Sequence, residues 1–236
     1  MSQMGLYDAA VAARYDDWYR GPEGQYADAL EKELFVKLVR PRKGQSLLEV
    51  GCGTGHNLEF FRDLGLEPAG VDPSEAMLKV AASKLTTDER LSLGRAEKLG
   101  FENSSFDIVA LITVLEFCSN PAEALREAIR VTREKLYLGV LNKTSFLNVT
   151  RRVKRRFQES TYNQARFYTI WELKRMVSRE AGNARFTWES VLFFPLTWHR
   201  YCHRADHLLS FRRNPLGAFL GICITPAEHS RNVAGS

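Results

Sequence analysis

The sequence predicts an α/β protein: a doubly wound, mostly parallel seven-stranded sheet of the Rossmann-like kind, with a helical cap inserted after the fifth strand. Three observations carry that expectation. From Gln45 onward, short apolar runs alternate with longer amphipathic ones, which is the pattern of strand, helix, strand. The run FDIVALITVLEF (106–117) is apolar without alternation, as a central parallel strand covered on both faces should be. The stretch LLEVGCGTGHN (47–57) sets an acid and three alternate glycines where a buried strand hands over to a helix. Glycine weakens a strand, so such a cluster marks a place where something approaches the backbone closely.

Taken in order, SLLEVGC (46–52) reads as the first strand and HNLEFFRDLG (56–65) as the helix after it, closed by Gly65. PAGVD (68–72) is a short second strand, and PSEAMLKVAASKL (73–85) a helix opened by Pro73 and Ser74. LSLGRA (91–96) is the third strand and 106–117 the fourth. NPAEALREAIRVTR (120–133) is a helix with Asn120 as N-cap and Pro121 at its first position. KLYLGVL (135–141) is the fifth strand, and right-handed crossovers between such units make a doubly wound open sheet.

Beyond Leu141 the pattern changes. NKTSFLNVTRRVKRRFQESTYNQARFY is long for a connection in a compact α/β domain, and its apolar and aromatic residues predict a packed helical cap over 142–168. TIWELKRMVSREAG follows as a helix, with Thr169 as N-cap, Glu172 completing a capping box and Gly182 as the stop. ARFTWESVLFFP (184–195) and PLGAFLGICIT (215–225) are two further strands, joined by a segment rich in His, Arg and aromatics (196–214). The organisation expected is one domain over 1–236, with an N-terminal helical lid (1–40) and a flexible tail (227–236).

Composition narrows the function classes. Hydrophobic residues at 44% and charged residues at 26% are ordinary for a globular chain, and no apolar run reaches the roughly 18 residues of a membrane-spanning helix. The N-terminus lacks the basic start and apolar core of a secretory signal, so the expected location is cytoplasmic. Cys52, Cys118, Cys202 and Cys223 show no CxxC pairing, which argues against a structural zinc site and a disulfide scaffold. The net charge of +5 is concentrated between Asn142 and Arg179, densest in TRRVKRRF (150–157). That stretch fits a solvated helix face, an acidic substrate, a membrane surface or RNA.

In an open parallel sheet the ligand lies beyond the carboxyl ends of the strands, where the loop after the first strand also lies. A dinucleotide would call for G-x-G-x-x-G, so that a pyrophosphate rests on the helix N-terminus. Here the spacing is G-x-G-x-G (Gly51, Gly53, Gly55), and His56 follows. Glu49 ahead of the loop would repel phosphate and suit an ammonium group. Asp72, closing the second strand before Pro73 and Ser74, serves no core.

With EVGCGTG, GVDPSEAML, RAEKLGFENSSFDIV and ALITVLEF followed by NPAEALREAIRV, the chain resembles a class I S-adenosylmethionine-dependent methyltransferase of the broad type 11 group, from about Tyr15 to Gly182. The resemblance implies that the Gly51–Gly55 loop, including Cys52 and Gly53, touches the methionine part of S-adenosylmethionine, whose product is S-adenosylhomocysteine. It implies that Glu49 takes the ammonium group and that Asp72 accepts the ribose hydroxyls. Met77 or Pro73 flanks the adenine, and Ala96 and Glu97 sit where the family reads its edge. The position before them, often Asp in the family, is Arg95 here. Thr113 lies beside the sulfonium, and Tyr15 matches an aromatic that closes over the cofactor. Glu49 as a helix cap, Cys52 as a small turn residue and Tyr15 as a packing anchor are the plainer readings of the same residues.

Methyl transfer from a sulfonium needs in-line positioning more than a catalytic triad. Where the acceptor carries a proton, the sequence offers Glu116, His199 and His203 as bases, the two histidines being four apart and so on one face if their segment is helical. The same histidines also read as surface or packing residues, and with no third ligand no metal site is expected. The expected acceptor is an O, N or S nucleophile of a small molecule, acidic or aromatic. The other readings are an RNA methyltransferase using 150–157 and a nicotinamide-dependent oxidoreductase, which would want the missing third-glycine spacing.

Overall fold

The computed structural model describes residues 9–84, 90–145 and 165–226. Its strands are β1 (Ser46–Val50), β2 (Glu67–Asp72), β3 (Arg90–Leu93), β4 (Phe106–Ile112), β5 (Thr132–Leu141), β6 (Arg185–Val191) and β7 (Phe219–Thr225). The helices are α1 (Ala9–Arg14), α2 (Asp17–Arg20), α3 (Pro22–Val39), α4 (His56–Asp63), α5 (Glu75–Lys84), α6 (Pro121–Val131), α7 (Ile170–Ala181) and α8 (His199–Leu209). The strands form one seven-stranded sheet in the order β3-β2-β1-β4-β5-β7-β6. The first five are mutually parallel, and β7 runs antiparallel to β5 and β6. Strand order reverses between β1 and β4, so a crevice opens beyond Val50 and Ile112.

Local chemistry sets the element ends as the sequence suggests at two helices. The Asn120 side chain accepts from the Glu123 amide at 3.3 Å to start α6. Thr169 and Glu172 exchange side-chain and backbone bonds of 3.1 and 2.7 Å, a complete capping box for α7. The sheet is covered on both faces, which explains its near-continuous apolar strands. On one face Leu48, Val109, Leu111 and Leu138 pack with Ala124 and Leu125 of α6 and Leu173 of α7. On the other, Leu47, Ile108 and Tyr137 pack with Phe35 and Val39 of α3 and Leu58 and Phe61 of α4. Among the described residues of the expected 1–40 lid, α3 is a core helix, and α1 and α2 stand apart from that core.

Several boundaries differ from the sequence reading. β4 ends at Ile112, not at Phe117, because Thr113 turns to φ 56° and carries the chain away from β5. The pairing nonetheless continues through a side chain, since Leu141 N–H donates to the Glu116 carboxylate at 2.6 Å. β5 starts at Thr132, so α6 is two residues shorter than its apolar pattern allows. Residues 196–214, which carried no assigned element, contain a 3₁₀ turn (Leu196–Trp198) and α8. Of the 142–168 cap, only the stem is described. Lys143 N–H donates to Tyr168 O at 2.8 Å, and buried Asn142 donates through Nδ2 to Pro215 O and Gly217 O, each at 2.7 Å. The cap between them, with its basic 150–157 run, and the 227–236 tail lie outside the described residues. No helix among the described residues is long and apolar enough to cross a membrane.

Glu116 is the ladder's unusual member. It is buried, its Oε2 has no hydrogen-bond partner among the described residues, and burial pushes its carboxyl up to about 7 against the pull of the Leu141 amide. Glu116→Leu leaves that amide unpaired and is expected to cost about 1–3 kcal/mol in urea melts. Glu116→Gln keeps an acceptor in place. Because the folded state holds the Glu116 proton more tightly than the unfolded one, the contribution of Glu116 to stability falls as pH rises from about 4.5 to about 7. Melts across that window are expected to show a shallower fall in Glu116→Gln.

Candidate active site

The glycine loop begins where β1 ends. Gly51 sits at φ 75°, and a Cβ there would stand 2.5 Å from Val114 Cγ2, so glycine is required by conformation and by space. Gly53 at φ 53° is different, because a Cβ there would meet nothing within 4 Å. Its backbone faces open space, which is what a loop that receives a ligand needs. Gly53 N–H donates to Asp72 Oδ2 at 2.9 Å, and Ser74 N–H donates to Asp72 Oδ1 at 2.8 Å. The acid closing β2 thereby holds the loop and the entry to α5 together. Burial raises the Asp72 carboxyl above its ordinary range, and the two amides pull it part of the way back.

Glu49 lies inside β1, flanked by Gly70 on one neighbouring strand and Ala110 on the other. Its Oε1 accepts from Asn57 Nδ2 at 2.7 Å, and its Oε2 is buried without a partner among the described residues. Burial pushes the carboxyl up to about 8, against the lowering effect of Asn57. The bond comes from a side chain of α4 and not from its orphan amides, so Glu49 is no helix cap.

Two cavities meet at the loop. One, of about 60 Å³, is bordered by Glu49, Cys52, Asn57, Asp28, Lys32 and His56. The other, of about 160 Å³, is bordered by Asp72, Pro73, Met77, Ala96, Glu97 and Val114. Tyr15, Gly51, Gly53 and Thr113 border both, so the two are lobes of one cleft. In the smaller lobe, Lys32 Nζ donates to Asp28 Oδ2 at 2.7 Å, while His56 Nε2 lies 3.0 Å from Asp28 Oδ1 and 3.1 Å from Lys32 Nζ. Burial would raise Asp28, but the bonds from His56 and Lys32 outweigh it and hold the carboxyl below its ordinary range. Tyr19 stacks on the His56 ring at 3.9 Å.

The N-terminal segment is tied to this loop by charge. Asp16 accepts from Thr54 Oγ1 at 2.6 Å and pairs with Lys84, which also donates to Thr54 O at 2.9 Å. Burial alone would push Asp16 up, but the Lys84 and Thr54 bonds prevail and hold it below the usual carboxylate range. Tyr15, next in the chain, is thereby held across both lobes.

Of the residues singled out from sequence, Tyr15, Glu49, Gly51, Cys52, Gly53, Asp72, Pro73, Met77, Ala96, Glu97 and Thr113 border the cleft. Gly55 does not; at φ 78° it caps α4. Glu97 Oε1 is engaged by Ser119 N–H at 2.9 Å and by Arg95 at 3.2 Å. The three residues considered as bases lie elsewhere. Glu116 points into the β4–β5 junction, and His199 and His203 sit on α8, where His199 Nδ1 is 2.7 Å from Leu196 O and His203 is exposed. The reading of that segment missed its anchor, Asp206, which draws α8 onto α3 through Tyr26. Asn57, Asp28 and Lys32 were also missed. Asn57 had a signal, as the second residue of the helix that follows the loop; Asp28 and Lys32 had none, because only packing brings α3 to the loop.

A family model described as a methyltransferase domain matches residues 48–138, from β1 to β5. An uncharacterized protein of Methanocaldococcus jannaschii is 31% identical over 181 residues, covering 76% of this chain and 81% of its own. The uncharacterized methyltransferase YcgJ of Bacillus subtilis is 31% identical over 116 residues, covering 48% of this chain and 46% of its own. The chain belongs to the class I S-adenosylmethionine-dependent methyltransferases. A crystal structure of such a methyltransferase from Thermotoga maritima, described as a possible histamine N-methyltransferase, superposes with TM-score 0.75 at 24% identity, covering 96% of this chain and 100% of the other. The fold is shared at that distance. The methyltransferase uses S-adenosylmethionine and releases S-adenosylhomocysteine.

The Asp16 tie makes a testable point about the methyltransferase. Asp16→Ala is expected to free α1 and α2, so that trypsin cuts after Arg14 or Arg20 at least severalfold faster. The melting midpoint should move by no more than about 4 °C, since the sheet core is untouched.

Proposed function

We propose that this methyltransferase transfers a methyl group to an O, N or S nucleophile of a small molecule, with the smaller lobe holding the amino-acid end of the cofactor and the larger lobe its nucleoside. The observation that carries the reading is the buried Glu49 oxygen with no partner among the described residues, in a lobe that also holds Lys32 and His56. A zwitterionic amino acid presents an ammonium and a carboxylate. Glu49 meets the first as a charge-assisted bond, and Lys32 with His56 meets the second. In the larger lobe, Asp72 accepts ribose hydroxyls, and Pro73, Met77 and Ala96 provide apolar walls for a flat base. Glu97 stands at that base's edge.

When bound, the cofactor supplies a methyl group already activated by its sulfonium. The chain's task is then orientation and exclusion of water. Thr113 and Tyr15 border both lobes and flank the place where the two meet, while Tyr15, Tyr19 and Phe117 give the cleft aromatic walls that suit a flat acceptor. Glu116, His199 and His203 stand outside the cleft, so the reading assigns them no proton transfer. The acceptor brings a nucleophile that attacks in its own available ionisation state.

Calorimetry and thermal shift with S-adenosylhomocysteine, S-adenosylmethionine and NADH test the site. Asp72→Ala is expected to weaken S-adenosylhomocysteine by about 10–100-fold, the worth of bonds to a charged group. The pH dependence has a definite sign. Without ligand, Glu49 keeps its proton up to about pH 8, whereas an ammonium favours the ionised form, so binding expels a proton. Affinity is therefore expected to rise from pH 6 to 8, and Glu49→Gln to flatten that rise. Stabilisation by NADH in place of the other two ligands would overturn the reading.

A further inference from the structure

Five of the nine large apolar side chains left exposed among the described residues fall between Trp198 and Leu216. Tyr201 is 88% exposed, Leu208 66%, Leu216 57% and Trp198 56%. At 100° per residue, Tyr201, Ala205 and Leu208 share one arc of α8, and Arg200, Arg204 and His207 share the arc beside it. The third arc faces the protein. There Asp206 is buried, accepting from Tyr26 Oη at 2.9 Å and from Phe193 N–H at 2.7 Å.

The charge of this surface is mostly positive, with Glu33 of α3 facing His207 at 3.6 Å. Between Leu196 and Leu216 stand four arginines (Arg200, Arg204, Arg212 and Arg213), all exposed and none paired with an acid among the described residues. The only acid in that stretch is the buried Asp206. A partner must therefore accept aliphatic and aromatic side chains and supply negative charge. A second copy of the chain, face to face, would bring the same arginines against each other. A nucleic acid would satisfy the arginines and leave Leu208 and Leu216 in water.

We propose that α8 and the turn through Leu216 form a docking surface for an anionic phospholipid bilayer, with Trp198, Tyr201 and Leu208 entering the interface and the arginines meeting lipid phosphates. A helix with aromatic and leucine side chains on one arc and arginines on the next is the form that lies in the plane of such an interface. Its place in the fold suits the role. β6 ends and β7 begins beside Leu141, so α8 stands at the sheet edge where the cleft opens. The inference is independent of which acceptor the enzyme methylates.

Cosedimentation of the full chain with vesicles of phosphatidylcholine alone, and of phosphatidylcholine with phosphatidylglycerol, tests it. Binding is expected only to the second, weakened about tenfold by Tyr201→Ser/Leu208→Ser, by Arg200→Glu/Arg204→Glu, and by raising salt from about 0.1 M to about 1 M. Both double variants should keep the wild-type thermal shift with S-adenosylhomocysteine, which reports an intact fold. Brominated phosphatidylcholine in the anionic vesicles should quench tryptophan fluorescence less in Trp198→Phe than in wild type. Absence of vesicle binding, or binding unchanged in both double variants, would overturn the proposal. A dimer dissolved by Tyr201→Ser/Leu208→Ser, or capture of an RNA hairpin without capture of vesicles, would also overturn it.

Discussion

A carboxyl group buried in the middle of a parallel sheet is the constraint around which this structure is arranged. Glu49 stands between two apolar strands, and Asn57 satisfies one of its oxygens while the other has no partner among the described residues. Burial of a carboxylate is costly enough that the proton is retained, with the group titrating at about 8. A chain assembled only for stability would place a leucine there. That cost supports the proposal that Glu49 meets the cofactor's ammonium group, and the loop beside it is open because Gly53 has no side chain to fill the space there.

The second level of organisation is the way distant segments converge on that loop. Asp72 fixes it from β2, Asp16 and Lys84 tie the N-terminal segment over it, and α3 contributes Asp28 and Lys32 from below. Each contact pairs opposite charges or satisfies a backbone amide, so these groups, unlike Glu49 Oε2, are held by one another. Preorganisation of this kind is what an enzyme relying on alignment of two reactants requires. The same economy places Glu116 in a purely structural bond, where its side chain extends the β4–β5 ladder after the backbone has turned away.

How much of this the sequence disclosed depends on the range of the interaction. The Gly51–Gly55 spacing, the acid at the end of β2, the Asn120 cap and the Thr169–Glu172 capping box were legible because each is written in a short run of consecutive residues, although Asp72 also binds Gly53 across 19 positions. The end of β4 was not legible. ITVLEF continues the mainly apolar run of β4, broken only by Thr113 and Glu116, and that pattern alone cannot distinguish a strand from a buried turn; Thr113 at φ 56° makes that difference. The helix over His199–Leu209 was equally obscure, since its buried face is narrow and its anchor is the charged Asp206.

The sequence by itself determined the fold class, the strand from which the loop springs and the two acids beside it, because periodicity, glycine and helix capping act through neighbours in the chain. Only the tertiary structure decided which side chains share the cleft. It brought Asp28 and Lys32 to His56, laid Tyr15 across both lobes and moved Glu116, His199 and His203 away from them. Those outcomes follow from how α3 and α8 pack, and packing depends on shape complementarity between segments far apart in the chain, for which a single sequence carries no local sign.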